Sequence, residues 1–271
     1  MVFSVVRLPT RENWGSTEAG YRGFTEGNSM EQGLTTAAST TENRTGSSTD
    51  GAAGHVLLGR VFDAVLFDMD GTLVDSTRAV NRAWMRWGAE AGLGPSFTGA
   101  EHGVPARQMV ARLVPEDKIE WSIARVLELE LDDLEGIEIL PGAAELMQSI
   151  PESRRAIVTS CARSLCLGRL DSAGFPVPAT VVTIDDTPRG KPFPEPFLKA
   201  AELLGADPRR CVVVEDAPAG LEAGRAAGCL TIGVAGTHTM DQLDADLVVP
   251  SLDRLRISVR DTGIVFELLP E

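Results

Sequence analysis

Val61-Phe62-Asp63-Ala64-Val65-Leu66-Phe67-Asp68-Met69-Asp70-Gly71-Thr72-Leu73-Val74-Asp75-Ser76 is the stretch on which the fold turns. Its opening residues form a short apolar run interrupted only by Asp63. A run of this length, rich in β-branched and aromatic side chains, fits a buried strand of a parallel sheet. The run stops at Asp68, where Asp70 and Gly71 signal a loop, and Gly71 permits a sharp bend.

The pattern recurs downstream. Residues 156–158, 180–183, 211–214, 230–234 and 247–249 are further short apolar runs. Helical periodicity fills most of the intervals. Residues 141–150 open on proline, 163–172 close before Gly174, 195–204 before Gly205, and 217–227 before Gly228. Alternating strands and helices predict an α/β fold, a doubly wound parallel sheet covered on both faces. Ligands of such sheets sit beyond the carboxyl ends of the strands.

One block breaks the alternation. Residues 77–138 carry helical stripes and no strand pattern: Val80, Trp84 and Trp87, then Ile119, Ile123, Val126 and Leu127, followed by Leu131 and Leu134. Gly92, Gly94 and Pro95 end the first of these helices. The block reads as a small all-helical cap inserted after the first strand, over the active edge of the sheet. The core is then 56–76 and 139–271. Residues 1–55, dominated by Thr, Ser, Gly, Glu and Asn, read as a disordered leader that cannot bury enough surface to offset its ordering entropy. Residues 256–269 suggest one or two further strands with a turn at Gly263.

Bulk properties narrow the partners. The 271 residues, 43% of them apolar, suffice for one large or two moderate domains with a substantial core. A formal net charge of −14 argues against a nucleic-acid backbone or an anionic membrane surface as the main partner. A phosphate ligand remains compatible with it, because a bound cation dominates the field inside a cleft. No apolar run reaches the roughly 18 residues of a membrane span. Cys161, Cys166, Cys211 and Cys229 form no CxxC pair and read as reduced core thiols, with a cytoplasmic location as the default.

The chemistry concentrates at strand ends. Asp68 and Asp70, one residue apart at a turn, can converge on a cation. Asp68 is placed to attack phosphorus as a nucleophile, and Asp70 to give a proton to the leaving oxygen. Together, DMDGTLVDS (68–76), Thr159-Ser160 after the second run, Lys191 within Arg189-Gly190-Lys191-Pro192, and Glu215-Asp216-Ala217-Pro218-Ala219-Gly220 after 211–214 resemble the four ordered signatures of the haloacid dehalogenase superfamily. The resemblance spans roughly residues 61–260. Each piece also has its own physical sense. Thr159 offers a hydroxyl donor to a phosphoryl oxygen and can also cap the following helix. Lys191 can neutralise charge between Asp68 and the phosphoryl group. Glu215 and Asp216 suit a hard, oxygen-preferring ion.

The resemblance implies a magnesium-dependent phosphatase acting through an aspartyl-phosphate on Asp68. Mg²⁺ would be held by the Asp68 carboxylate, the Asp70 carbonyl and Asp216, with Glu215 beside them. Thr159, Ser160 and Lys191 would grip the phosphoryl group. Residues 190–200 and 215–229 resemble most the glycerol-phosphate and 2-deoxyglucose-6-phosphate phosphatases of that superfamily. A small phosphorylated sugar or polyol is the implied substrate, with His102 and Arg107 of the cap element 101–107 as candidates for reading it. A phosphosugar mutase and a non-catalytic phospho-ligand binder are the alternatives. The β-phosphoglucomutase branch carries His twelve residues beyond the nucleophile, where this chain has Val80, and Cys161 stands where relatives usually place Gly.

Overall fold

The opening apolar run is two strands, not one. β1 (Val61–Phe62) and β2 (Ala64–Phe67) part at Asp63 and join different sheets. The break is held from a distance. The Asp63 amide donates to the Arg210 carbonyl at 2.7 Å, and the Asp63 carboxylate accepts from Arg210 Nε and Nη2, each at 2.7 Å.

The computed structural model describes residues 57–100 and 104–270. The leader at 1–55 and the cap residue His102 lie outside these. After β2 come β3 (Val74–Asp75) and three helices, α1 (Thr77–Glu90), α2 (Ala106–Leu113) and α3 (Ile119–Asp132). β4 (Glu138–Ile139), α4 (Ala143–Gln148), β5 (Arg155–Val158), α5 (Arg163–Ala173), β6 (Val181–Val182) and α6 (Glu195–Leu204) follow. The order ends with β7 (Cys211–Glu215), α7 (Pro218–Ala226), β8 (Leu230–Val234), β9 (Leu247–Val249), β10 (Leu255–Arg260) and β11 (Gly263–Leu268).

Six strands form one parallel sheet in the order β6-β5-β2-β7-β8-β9. The chain runs outward from β2 to β5 and β6, then returns to β7 on the other side of β2. The direction of winding therefore reverses beside β2, which is where open α/β sheets leave a crevice for ligands.

The period-two rule for strands sorts the core into two layers. Val65, Phe67, Ile157, Val212 and Val214 face Cys166 and Leu170 of α5 and Leu146 of α4. Ala64, Leu66, Ala156, Val158 and Val213 face Phe197 and Ala200 of α6 and Ala223 of α7. Phe67, Leu66 and Phe197 are fully buried. Each such side chain contributes about 1.5–3 kcal/mol relative to exposure. The predicted doubly wound parallel sheet is therefore what forms.

Between β3 and β4 lie the three helices of the insertion. β3 and β4 pair antiparallel, Val74 with Ile139 and Asp75 with Glu138, so the way in and the way out run side by side. The helices have a core of their own: Ala83, Trp84, Trp87, Met109, Val110, Val126 and Leu129. Trp87 stacks edge-on against Trp84 at 5.4 Å and Phe97 at 5.9 Å. The expected stripe on α3 is shifted. Leu129 is fully buried, whereas Leu131 is 36% exposed and Leu134 packs on the main core.

The C-terminal stretch forms the hairpin β10–β11, and β1 pairs antiparallel along β11. Ile264 and Phe266 enter the main core, with Phe266 edge-on to Phe62 at 6.1 Å.

Candidate active site

Four sequence segments meet at the carboxyl end of the sheet because three strands end there in register. Phe67 pairs with Ile157 on one side and Val214 on the other. Asp68, Thr159 and Glu215-Asp216 therefore leave the sheet beside one another. The Asp68 amide continues the ladder onto the Val214 carbonyl at 2.9 Å, and the Thr159 amide onto Val182 at 2.9 Å.

Lys191, in the loop before α6, reaches into this cluster from the side. Its Nζ donates to Asp68 Oδ1 at 2.5 Å, to the Val158 carbonyl at 2.8 Å and to Glu215 Oε1 at 2.8 Å. An ammonium has three donors, and all three are used. Glu215 Oε2 accepts from the Ala217 amide at 2.8 Å. Asp216 accepts from Thr72 Oγ1 at 3.4 Å and from Thr237 Oγ1. The backbone is shaped around these carboxylates. Gly71 has φ +88°, and a Cβ there would run into the Asp216 carboxylate and Thr237. A Cβ on Gly220, in the first turn of α7, would overlap the Glu215 carboxylate.

Asp68, Glu215 and Asp216 are buried, and each offers an oxygen within 4.8 Å of the others. One lysine faces three carboxylates. Burial, reinforced by Glu215 and opposed by Lys191, pushes Asp68 up to about 7. Asp216 lies well above the usual carboxylate range, from burial and from the charges of Glu215 and Asp68. Burial alone would lower Lys191, but Asp68 and Glu215 hold it above its ordinary value. Such a cluster of oxygen donors with surplus negative charge fits a hard divalent cation, which would supply the missing positive charge.

Asp70 stands apart from this group. Its Oδ1 accepts from Ser76 Oγ at 2.6 Å and its Oδ2 from Arg169 Nη1 at 2.7 Å. Arg169 is 5% exposed on α5, and its Nη2 lies 3.2 Å from Glu130 Oε1 on α3. Trp84 Nε1 donates to the same Glu130 oxygen at 3.2 Å. Burial raises Glu130 above its usual range against the pull of Arg169. Arg169 and Glu130 were not among the residues expected here. The one signal was a lone arginine inside the apolar helical stretch Leu165-Cys166-Leu167-Gly168-Arg169-Leu170.

The remaining candidates divide. Thr159 is 3% exposed, and its hydroxyl donates to Cys161 Sγ at 3.4 Å. It does not cap α5, whose N-cap is Ala162. Ser160 is exposed and lines the cavity beside it. A hydrogen bond with Cys166, with burial, pushes the Cys161 thiol well above its ordinary value. Arg107 reaches the cavity rim, but its guanidinium is exposed and pairs with Glu120 at 2.6 Å.

A cavity of about 300 Å³ lies between the sheet edge and the insertion. Its floor is Asp68, Asp70, Thr159, Lys191 and Asp216; its far wall is Val80, Trp84, Met109, Ile123, Val126 and Leu127. Ile123 and Leu127 thus turn toward this space rather than only into the helical core.

The family model for haloacid dehalogenase-like hydrolases matches residues 62–228. The chain belongs to that family. The hydrolase is 39% identical over 207 residues to hexitol phosphatase A of Escherichia coli (strain K12), a match covering 74% of this chain and 96% of that protein. It is 33% identical over 216 residues to glycerol-1-phosphate phosphohydrolase 2 of Saccharomyces cerevisiae, covering 72% of this chain and 84% of that one. It superposes on β-phosphoglucomutase from Clostridium difficile with a TM-score of 0.61 at 23% identity, covering 72% and 93% of the two chains. At that identity the likeness speaks to fold alone. The two sequence relatives bear the names of phosphatases, as the expected phosphoric monoester hydrolase requires. Among the described residues, no helix is long and apolar enough to cross a membrane.

Proposed function

We propose that this hydrolase cleaves a small sugar or polyol phosphate monoester with Mg²⁺ bound, through an aspartyl-phosphate on Asp68. One observation carries the reading: Asp68, Glu215 and Asp216 present oxygens within 4.8 Å of one another at the floor of a small cavity, braced by Lys191. The relatives' names support the substrate class, and a volume of about 300 Å³ suits a small molecule.

Asp68, Asp216 and Glu215, with the Asp70 carbonyl, would hold Mg²⁺. When bound, the ion supplies charge compensation for the phosphoryl oxygens. The chain's own groups do the rest. Lys191 engages Asp68 Oδ1, which leaves Oδ2 to attack phosphorus. The bond from phosphorus to the ester oxygen breaks, and Asp70 gives its proton to the departing alcohol. Asp70 then takes a proton from water as that water attacks the phosphorus. Phosphate leaves and the Asp68 carboxylate is restored. Thr159 and Ser160 contribute donors to the phosphoryl oxygens. The helical insertion acts as the cap that closes the cavity against bulk water.

The test is phosphate release from a panel of glycerol, hexitol, 2-deoxyglucose and nucleotide monoesters, with Mg²⁺ or with excess chelator, and with Asp68→Asn as the blank. Release should need the cation, and Asp68→Asn should lower it by at least about 10³-fold while the circular dichroism spectrum stays unchanged. Normal turnover by Asp68→Asn would end the assignment. Isomerised sugar phosphate without free phosphate would point to a mutase instead.

A further inference from the structure

Asp70 is gripped at both oxygens, and the grip leads out of the core. Ser76 Oγ holds one oxygen at 2.6 Å and Arg169 Nη1 the other at 2.7 Å. Arg169 extends its second terminal nitrogen across the boundary to Glu130 of the insertion, 3.2 Å away, where Trp84 Nε1 meets the same oxygen. Its neighbours on α5, Leu165, Cys166 and Leu170, are buried and apolar. Placing a guanidinium there carries a large desolvation penalty before its partners compensate. An aliphatic side chain would pack beside them with no such penalty. The two carboxylates that meet Arg169, one in the catalytic loop and one in the insertion, explain why a charge stands there.

We propose that Arg169 is the positioning residue for the acid/base carboxylate of Asp70, and that Glu130 makes this positioning depend on where the insertion sits. The proposal rests on the reading of Asp70 given above. A carboxylate that must face the departing alcohol and then a water has to keep one orientation through both steps. Arginine suits that task because it never loses its charge and its two terminal nitrogens reach two carboxylates at once, one holding Asp70 and the other Glu130. The Arg169–Glu130 contact joins α5 of the core to α3 of the insertion. Displacing the insertion breaks it and frees the guanidinium to release or turn Asp70.

Leaving-group dependence separates positioning from a merely structural role. Departure of an alkoxide needs the proton from Asp70; departure of p-nitrophenolate does not. Arg169→Gln should lower kcat on glycerol 1-phosphate by about 10²-fold, the scale of a general acid–base contribution, with little change in KM. The rapid first release of p-nitrophenol from p-nitrophenyl phosphate should stay within about threefold of the parent enzyme, followed by slow turnover because the water step still needs Asp70. Glu130→Gln should show the same selectivity with a smaller loss, and adding it to Arg169→Gln should cost nothing further. It also keeps the test open should Arg169→Gln fold poorly. Equal losses on both substrates, or no loss on either, in the folded variants would overturn the proposal. A parent enzyme that releases neither alcohol nor p-nitrophenol would instead refute the phosphatase reading itself.

Discussion

The two sides of the cavity are built differently. At the sheet edge the polar side chains are tied: Lys191 to three acceptors, Glu215 to Lys191 and a backbone amide, Asp216 to two threonines. The insertion side offers the apolar side chains of Val80, Ile123, Val126 and Leu127, with a polar pair at Trp84 and Glu130. Hydrogen-bond networks fix geometry to a fraction of an ångström, whereas an apolar wall selects by shape and tolerates exchange. Substitutions at the edge should therefore injure every substrate alike, and substitutions in the wall should reorder substrates.

Lys191→Met is the most severe way to test that contrast. It leaves Asp68 and Glu215 buried beside each other without their shared cation. Turnover should drop by at least about 10³-fold on all substrates, and breaking a buried pair should cost roughly 3–5 kcal/mol, read by denaturant unfolding. Gly220→Ala comes next. Its methyl group would displace the Glu215 carboxylate, so activity should fall about 10²-fold and the Mg²⁺ concentration for half-maximal activity should rise, again across the panel. On the other side, Leu127→Ala enlarges the cavity. It should change the ratio of kcat/KM between a hexitol and a glycerol phosphate by about tenfold while leaving the better substrate's kcat near its parent value. Arg107→Ala should do least. Its exposed pairing with Glu120 predicts kinetics within about threefold and a melting curve that does not move measurably. A uniform loss from Leu127→Ala, or a substrate-selective one from Gly220→Ala, would erase the distinction.

The same division explains what could be read from the residues alone. Asp68, Lys191, Glu215 and Asp216 sit in short motifs beside strand ends or prolines, where local chemistry announces itself, and the structure brings all four together. The parallel sheet was readable for a similar reason: runs buried on both faces have little polar interruption. The split at Asp63 was not. Its partner Arg210 is 147 positions away, and an apolar run with one aspartate looks continuous without it. Arg169 and Glu130 were hidden for the same cause. An arginine on a helix normally faces water; the seating of α3 against α5 adds Glu130 to Asp70 as a second carboxylate partner for this buried one. On α3 the stripe drifted from Leu131 to Leu129 because two surfaces, the helical core and the cavity, compete for its apolar face.

β1 ends one residue before the strand that leads into Asp68, yet among the described residues its ladder runs along β11, with Val61 opposite Val265 and Phe62 opposite Ile264. During synthesis that ladder must wait until residue 265 has left the ribosome. The segment leading into Asp68 thus lacks its final anchor until β11 has been made. Nascent chains stalled before β11 should be cut by protease near residue 61, and those released after it should be protected there.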